Sequence, residues 1–171
     1  LAPLCAYRPG RSALEPGGQI LASAAIVLSP VMGDRLRYVQ TDGSEDLSRF
    51  PDFLIVGPQR TGTTWLHAHL RFHPQIMLSE PKEIFFFSRL KDRRHPGFES
   101  ADLSWYLRHF REPLPRRLAK SAMMLWRCRE IYRPIVRGEA TASYAAMDAE
   151  LIDEVVALNP EVRVIMMIRD P

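Results

Sequence analysis

The sequence predicts an α/β fold of three layers, a parallel sheet flanked by helices on both faces. Three observations lead there. The 171 residues are 46% hydrophobic and 25% charged, the composition of one ordinary domain with a single core. Short apolar runs of strand length alternate with longer segments of helical period, the pattern of parallel strands joined by right-handed crossovers. The first clear strand, Phe53-Leu54-Ile55-Val56, is continuously apolar and ends at Gly57, as a strand covered on both faces and feeding a tight turn does.

Taken in order, residues 1–50 read as a poorly ordered leader and residues 51–171 as the domain. The segments 8–18 and 33–49 are rich in Gly, Pro, Ser and charge, a composition that buries little apolar surface. Between them, the apolar stretch 20–31 falls short of the roughly 20 residues of a membrane span, and Pro30 interrupts it; with Arg8 and Arg11 ahead of it, it also fits a secretory hydrophobic segment. After the strand at 53–56, Trp65, Leu66, His69, Leu70 and Phe72 recur with helical spacing until Pro74 stops the run. Residues 76–78 form a second strand, followed by the aromatic cluster 84–87. Residues 102–110 read as a helix with Asp102 as N-cap and Leu103, Tyr106, Leu107 and Phe110 on one face. Residues 116–129 give another helix, 135–138 a short strand, 148–158 a helix capped by Asp148, and 162–168 the most strongly apolar strand.

Charge excludes little by itself. The net charge of +3 does not require a nucleic-acid or membrane partner, so local clusters must decide. All but Lys82, Lys91 and Lys120 of the 23 basic residues are Arg, the side chain suited to bidentate contact with phosphate or sulfate oxygens; Arg-rich codon usage produces the same bias. Segment 116–137 carries seven basic residues against Glu130 alone, either a solvated helix face or a surface for an acidic acceptor. Cys5 and Cys128 are too few for a disulfide framework or a cysteine zinc site, which makes a reducing, cytoplasmic setting the default. His67, His69 and His73 lack a carboxylate at ligand spacing, so no metal is expected.

The informative segment is Gly57-Pro58-Gln59-Arg60-Thr61-Gly62-Thr63-Thr64, at the end of a strand and the start of a helix. Two glycines let the backbone turn, and successive N–H groups with the positive helix N-terminus converge on an anion. The glycine interval is that of a P-loop, but Thr63 stands where a nucleotide triphosphatase has Lys, and Arg60 lies inside the loop instead. That substitution argues against ATP hydrolysis.

At this point the chain resembles the sulfotransferases that use 3′-phosphoadenosine 5′-phosphosulfate (PAPS), over residues 51–171. PQRTGTTWL at 58–66 is similar to their 5′-phosphosulfate loop. His73-Pro74 followed by Pro81-Lys82-Glu83-Ile84-Phe85-Phe86-Phe87 resembles a segment of the heparan sulfate type and its bacterial relatives, Gly138-Glu139-Ala140-Thr141-Ala142-Ser143-Tyr144 resembles another, and Arg169-Asp170-Pro171 looks like the opening of the 3′-phosphate motif. The resemblance implies a P-loop-type sheet. It also implies that Arg60, Thr61, Gly62, Thr63, Thr64 and Trp65 hold the 5′-phosphosulfate and that Arg169 contacts the 3′-phosphate. Arg60 takes the place of a loop Lys that stabilises charge on the leaving oxygen; it keeps the charge role but cannot donate a proton to it. Glu83 matches the candidate general base that takes the proton from an acceptor hydroxyl or amine.

Two departures from the family pattern stand out. Ala140 replaces a second Lys of several heparan-type members, with Arg137 a candidate substitute, and Ala142 replaces a Pro. The implied reaction needs PAPS and no metal, with a small-molecule or carbohydrate acceptor, no nucleic acid and no membrane span. Two rivals remain: a P-loop kinase or nucleotide triphosphatase, whose Mg²⁺ ligand only Asp170 offers, and a non-catalytic anion-binding domain. With Leu1 first and Pro171 directly behind an apolar strand, the chain reads as the N-terminal part of a domain truncated at its C-terminus. On that reading it is expected to be sticky, to bind nucleotide weakly and to transfer no sulfuryl group on its own.

Overall fold

The computed structural model describes residues 36–168; expectations for residues 1–35, Arg169 and Asp170 lie outside the described residues. All four residues of β1 (Phe53–Val56) are buried, which requires neighbours on both sides and cover on both faces. Its neighbours are β3 (Val136–Ala140) and β4 (Arg163–Met166), and β2 (Ile76–Leu78) adds outside β3, giving the parallel order β2-β3-β1-β4. Phe53 pairs in register with Gly138 and with Arg163, and Ile55 with Ala140 and Ile165.

Strand residues alternate between faces, and β1 shows both layers. Phe53 and Ile55 pack with Leu78, Ala140, Leu66 and Leu70 under α1 (Thr63–Leu70). Leu54 and Val56 enter the larger core on the other face, closed by α2 (Phe86–Arg89), α3 (Leu103–Leu107) and α5 (Ala149–Leu158). There Phe86 stacks on Tyr106 at 4.6 Å between centroids, and Phe87 meets the same ring edge-on at 5.2 Å. Burial of such side chains contributes about 1.5–3 kcal/mol each. The expected three-layer α/β architecture with a parallel sheet is present. α4 (Leu114–Cys128) runs outside the sheet along the β2 edge, its Arg116 guanidinium on Glu80 at one end of β2 and its Arg127 guanidinium 5.0 Å from the Phe72 ring at the other.

Two expectations change. Packed structure begins before Pro51: Val39, Leu47 and Phe50 are buried, and Gln40 bridges to the start of α3, donating to Ala101 O at 2.8 Å and accepting from Leu103 N at 2.9 Å. What holds this strap is Glu154, a buried carboxylate on α5 that accepts the N–H groups of Arg37 and Tyr38 at 2.6 Å each and of Val39 at 2.9 Å. Asp102 caps α3 as expected, accepting from Ser104 N at 2.8 Å, but the Asp148 side chain makes no cap at α5. It meets the Lys91 ammonium instead, at 2.6 Å, with Glu150 on the same cation at 2.9 Å; the two carboxylates push Lys91 up from its ordinary 10.5. The last strand leaves an exposed apolar surface, as the sticky chain expected from sequence would: Val164 is 59% and Met166 54% exposed, and β4 pairs only with β1 at the sheet edge.

Candidate active site

The loop after β1 has the geometry its residues imply. At Gly57 the backbone is so close to the segment following β4 that a Cβ would lie 2.8 Å from the Met167 carbonyl oxygen. Gly62, the N-cap of α1, takes φ 103°, which glycine alone adopts cheaply. Between them Arg60 is held at φ 70°, and the Thr61 hydroxyl donates to the Pro58 carbonyl at 2.8 Å, closing the loop. α1 then begins with Thr63 buried and Thr64 and Trp65 exposed. The leading N–H groups of a helix lack intrahelical partners, and the positive end of the helix lies with them. Arg60 is exposed and has no carboxylate partner among the described residues. The turn thus brings together free helix-start amides and an exposed arginine, the chemistry from which an anion cradle can be built.

Glu83 comes from the turn between β2 and α2, at φ 62°, with Phe85 at φ 60° two residues on. Non-glycine residues in this region cost about 1–3 kcal/mol each and persist where surrounding contacts enforce them. Here two contacts do so. The Glu83 N–H donates to the Ala140 carbonyl at 2.9 Å, and its carboxylate accepts the Ala142 N–H at 3.1 Å. Ala142 also meets the loop after β1, since its carbonyl accepts the Gly57 N–H at 3.4 Å. The main chain of one residue thus touches both the loop and the carboxylate. The Lys82 ammonium pairs with the other Glu83 oxygen, and both side chains are largely covered.

His67, one turn into α1 from Thr63, is half-buried, with its Nε2 shielded and unpartnered. Burial first, then the Lys82 charge, pushes His67 below its ordinary 6.5, while the Ser79 backbone and Glu83 pull the other way. His69 turns aside, its ring 4.0 Å from Trp65 and its Nδ1 on the Trp65 carbonyl at 2.7 Å. Among the described residues no three His, Cys, Asp or Glu side chains stand together in a way that could hold a metal.

Under β3 lies a buried polar network. Glu139 is fully buried and accepts the Tyr106 hydroxyl and, at 2.7 Å, the Thr141 hydroxyl; Tyr144 accepts the Phe87 N–H at 3.3 Å. Burial pushes Glu139 up from 4.5, and burial with the Glu139 charge pushes both tyrosines well above 10.0. These bonds tie the C-terminal end of β3, and so Ala140 and Ala142, to the aromatic layer.

Of the residues singled out from sequence, Arg60, Thr61, Gly62, Thr63, Thr64 and Trp65 form one rim, and Glu83 is joined to it through Ala142. Arg137 is not part of it: its N–H donates to Asp52 at 2.6 Å and its guanidinium to Ser48 O at 2.9 Å, at the end of β1 opposite the loop. As a cation standing in for Ala140 it is out of place, because its guanidinium is held at Ser48 near the start of β1 while Ala140 ends β3 beside Glu83. Lys82, His67 and the Ala142 N–H stand close to Glu83 and the start of α1; Lys82 and Ala142 lie inside the family-like segments, but no residue type there marked the contacts they make. A cavity of about 350 Å³ opens along the β2 edge, lined by Trp105, Arg108, Arg116, Lys120, Glu80 and Glu112 among others.

The fold is an α/β protein with a parallel sheet flanked by helices, and Glu83 is joined through Ala142 to the glycine-bounded turn between β1 and α1. The match to the sulfotransferase family model over residues 51–171 makes the particular assignment, and the chain belongs to that family. It is 29% identical over 128 residues to human bifunctional heparan sulfate N-deacetylase/N-sulfotransferase 3 and 31% identical over 129 residues to human bifunctional heparan sulfate N-deacetylase/N-sulfotransferase 2, each match covering 72% of this chain. The mouse form of the latter is 42% identical over 72 residues, 39% of this chain. The matched stretch spans 12% of the length of either human relative. No solved structure matches the chain.

Proposed function

We propose that the loop after β1 binds PAPS and that the domain transfers its sulfuryl group to a hydroxyl or amine, with a carbohydrate as the acceptor class. The observation that carries this reading is the Ala142 main chain, whose carbonyl accepts from Gly57 and whose N–H donates to Glu83; it supports a carboxylate base working beside the loop. When bound, the donor supplies an activated sulfuryl group on a phosphate. The loop amides and Arg60 neutralise charge on that phosphate as it leaves, where fixed donors are most effective. Glu83 accepts the acceptor proton as the new bond to sulfur forms, and Lys82 beside it holds the carboxylate oriented. Thr63 and Thr64 add hydroxyl donors at the helix start, and Arg169 is proposed for the 3′-phosphate. The named activity of the relatives and the cavity along β2, where Trp105 offers an aromatic face among charged side chains, favour a sugar acceptor.

Ligand choice tests the donor. The full-length protein is expected to bind adenosine 3′,5′-bisphosphate more tightly than ATP with Mg²⁺, since Thr63 cannot grip a γ-phosphate as Lys does. Calorimetry giving the reverse order refutes the reading.

A further inference from the structure

α4 is an amphipathic helix set the wrong way round for a core. Of its 15 residues only Met124 is buried. The stripe turned to the protein is charged: Arg116 pairs with Glu80, Lys120 with Glu112 at 2.7 Å, and Arg127 lies over Phe72. The stripe turned outward is Leu114, Leu118 and Leu125, at spacings of four and seven that put them on one face, bordered by Trp126. These four are 67%, 60%, 55% and 85% exposed. Around them Arg117, Arg129 and Arg133 are exposed and have no carboxylate partner among the described residues, and Ile131 continues the apolar surface.

Charge decides what such a surface meets. A second copy would gather Arg117, Arg129 and Arg133 of both chains in one interface with only Glu130 of each to offset them, and such an excess of like charge opposes association. A polyanion alone would satisfy the arginines and leave the leucines and Trp126 in water. An interface that is apolar below and anionic above satisfies both sets: the leucines and the indole enter the boundary between acyl chains and headgroups while the flanking arginines reach the headgroup charges. We infer that the outer face of α4 docks the domain on an anionic lipid bilayer, lying in the interface and not spanning it. Docking by the β2 edge leaves the rim that carries Arg60 and Glu83 free, and the inference does not depend on the sulfotransferase reading.

Co-sedimentation of the full-length protein with phosphatidylcholine vesicles, with and without phosphatidylserine, tests this. Binding is expected only with phosphatidylserine, weakening as salt rises, with a blue shift of tryptophan emission that is lost in Trp126→Phe. Leu118→Gln and the double reversal Arg117→Glu with Arg129→Glu should each lower the bound fraction about tenfold or more while circular dichroism stays unchanged, since all three positions are exposed. Equal binding to both vesicle types, no response to the charge reversal, or retention by a heparin column without vesicle binding overturns the inference. So does a dimer in sedimentation equilibrium that Leu118→Gln converts to monomer, which would assign the face to a second copy.

Discussion

Ala142→Pro isolates the link between cradle and base. Proline has no N–H to give Glu83, yet the backbone accepts it: residue 142 opens the 3₁₀ turn Ala142–Ala146, a first-turn position that proline favours, and Thr141 before it is extended at φ −133°, ψ 106°, as the residue ahead of proline must be. The carbonyl that receives the Gly57 N–H is retained. What disappears is one 3.1 Å bond to a carboxylate that is 25% exposed. A hydrogen bond to a charged group contributes about 1.5–3 kcal/mol, and partial exposure with Lys82 still in place puts this one at the low end. About 1.4 kcal/mol is a tenfold rate, so turnover is expected to fall about tenfold, while adenosine 3′,5′-bisphosphate affinity holds and Tm drops by about 2–5 °C. Ala142→Gly, which keeps the N–H, should retain most of the activity. Sulfuryl transfer from labelled PAPS to N-deacetylated heparan sulfate gives the rates. A proline variant within twofold of the parent at unchanged Tm would show that Glu83 is positioned by other contacts.

Arg60→Ala should cost about 3 kcal/mol of transition-state stabilisation, on the order of one oxyanion donor; undiminished turnover removes Arg60 from the mechanism. Glu83→Gln should lower turnover by about 10²–10⁴ with nucleotide affinity nearly unchanged, and a parallel loss of both would make Glu83 a support for the loop. His67 sits below its ordinary 6.5 in the folded chain, so the unfolded chain binds that proton first as pH falls. Stability is therefore lost as pH drops through 6.5 and the loss ends below the folded value; His67→Gln should flatten this slope in denaturant titrations, and an unaltered slope would place the histidine in water. Glu154→Ala leaves three strap N–H groups without their acceptor and should cost about 2 kcal/mol or more, with amide exchange at residues 37–39 rising first; protected amides there would mean that apolar packing alone holds the strap.

Local rules in the sequence determined the elements and the cradle. The apolar run 53–56, glycines at 57 and 62, and the Asp102 cap each act over a few residues, so their outcome is readable without knowing what lies across the fold. The same holds for Tyr106, Leu107 and Phe110, whose helical spacing already marks a buried face. Tertiary structure decided everything that depends on a partner far along the chain. Glu154 orders residues more than 100 positions earlier, although nothing in segment 36–50 marks it as packed. Asp148 gives up its cap for Lys91, 57 residues away, because an ion pair competes with a backbone N–H only once the two elements meet. Arg137 reads as a cation near the site until strand register sends it to the far end of β1. The joining of Glu83 to the loop rests on the main chain of Ala142, whose N–H and carbonyl leave no trace in residue identity, and for that reason the base could be named from sequence while its connection to the cradle could not.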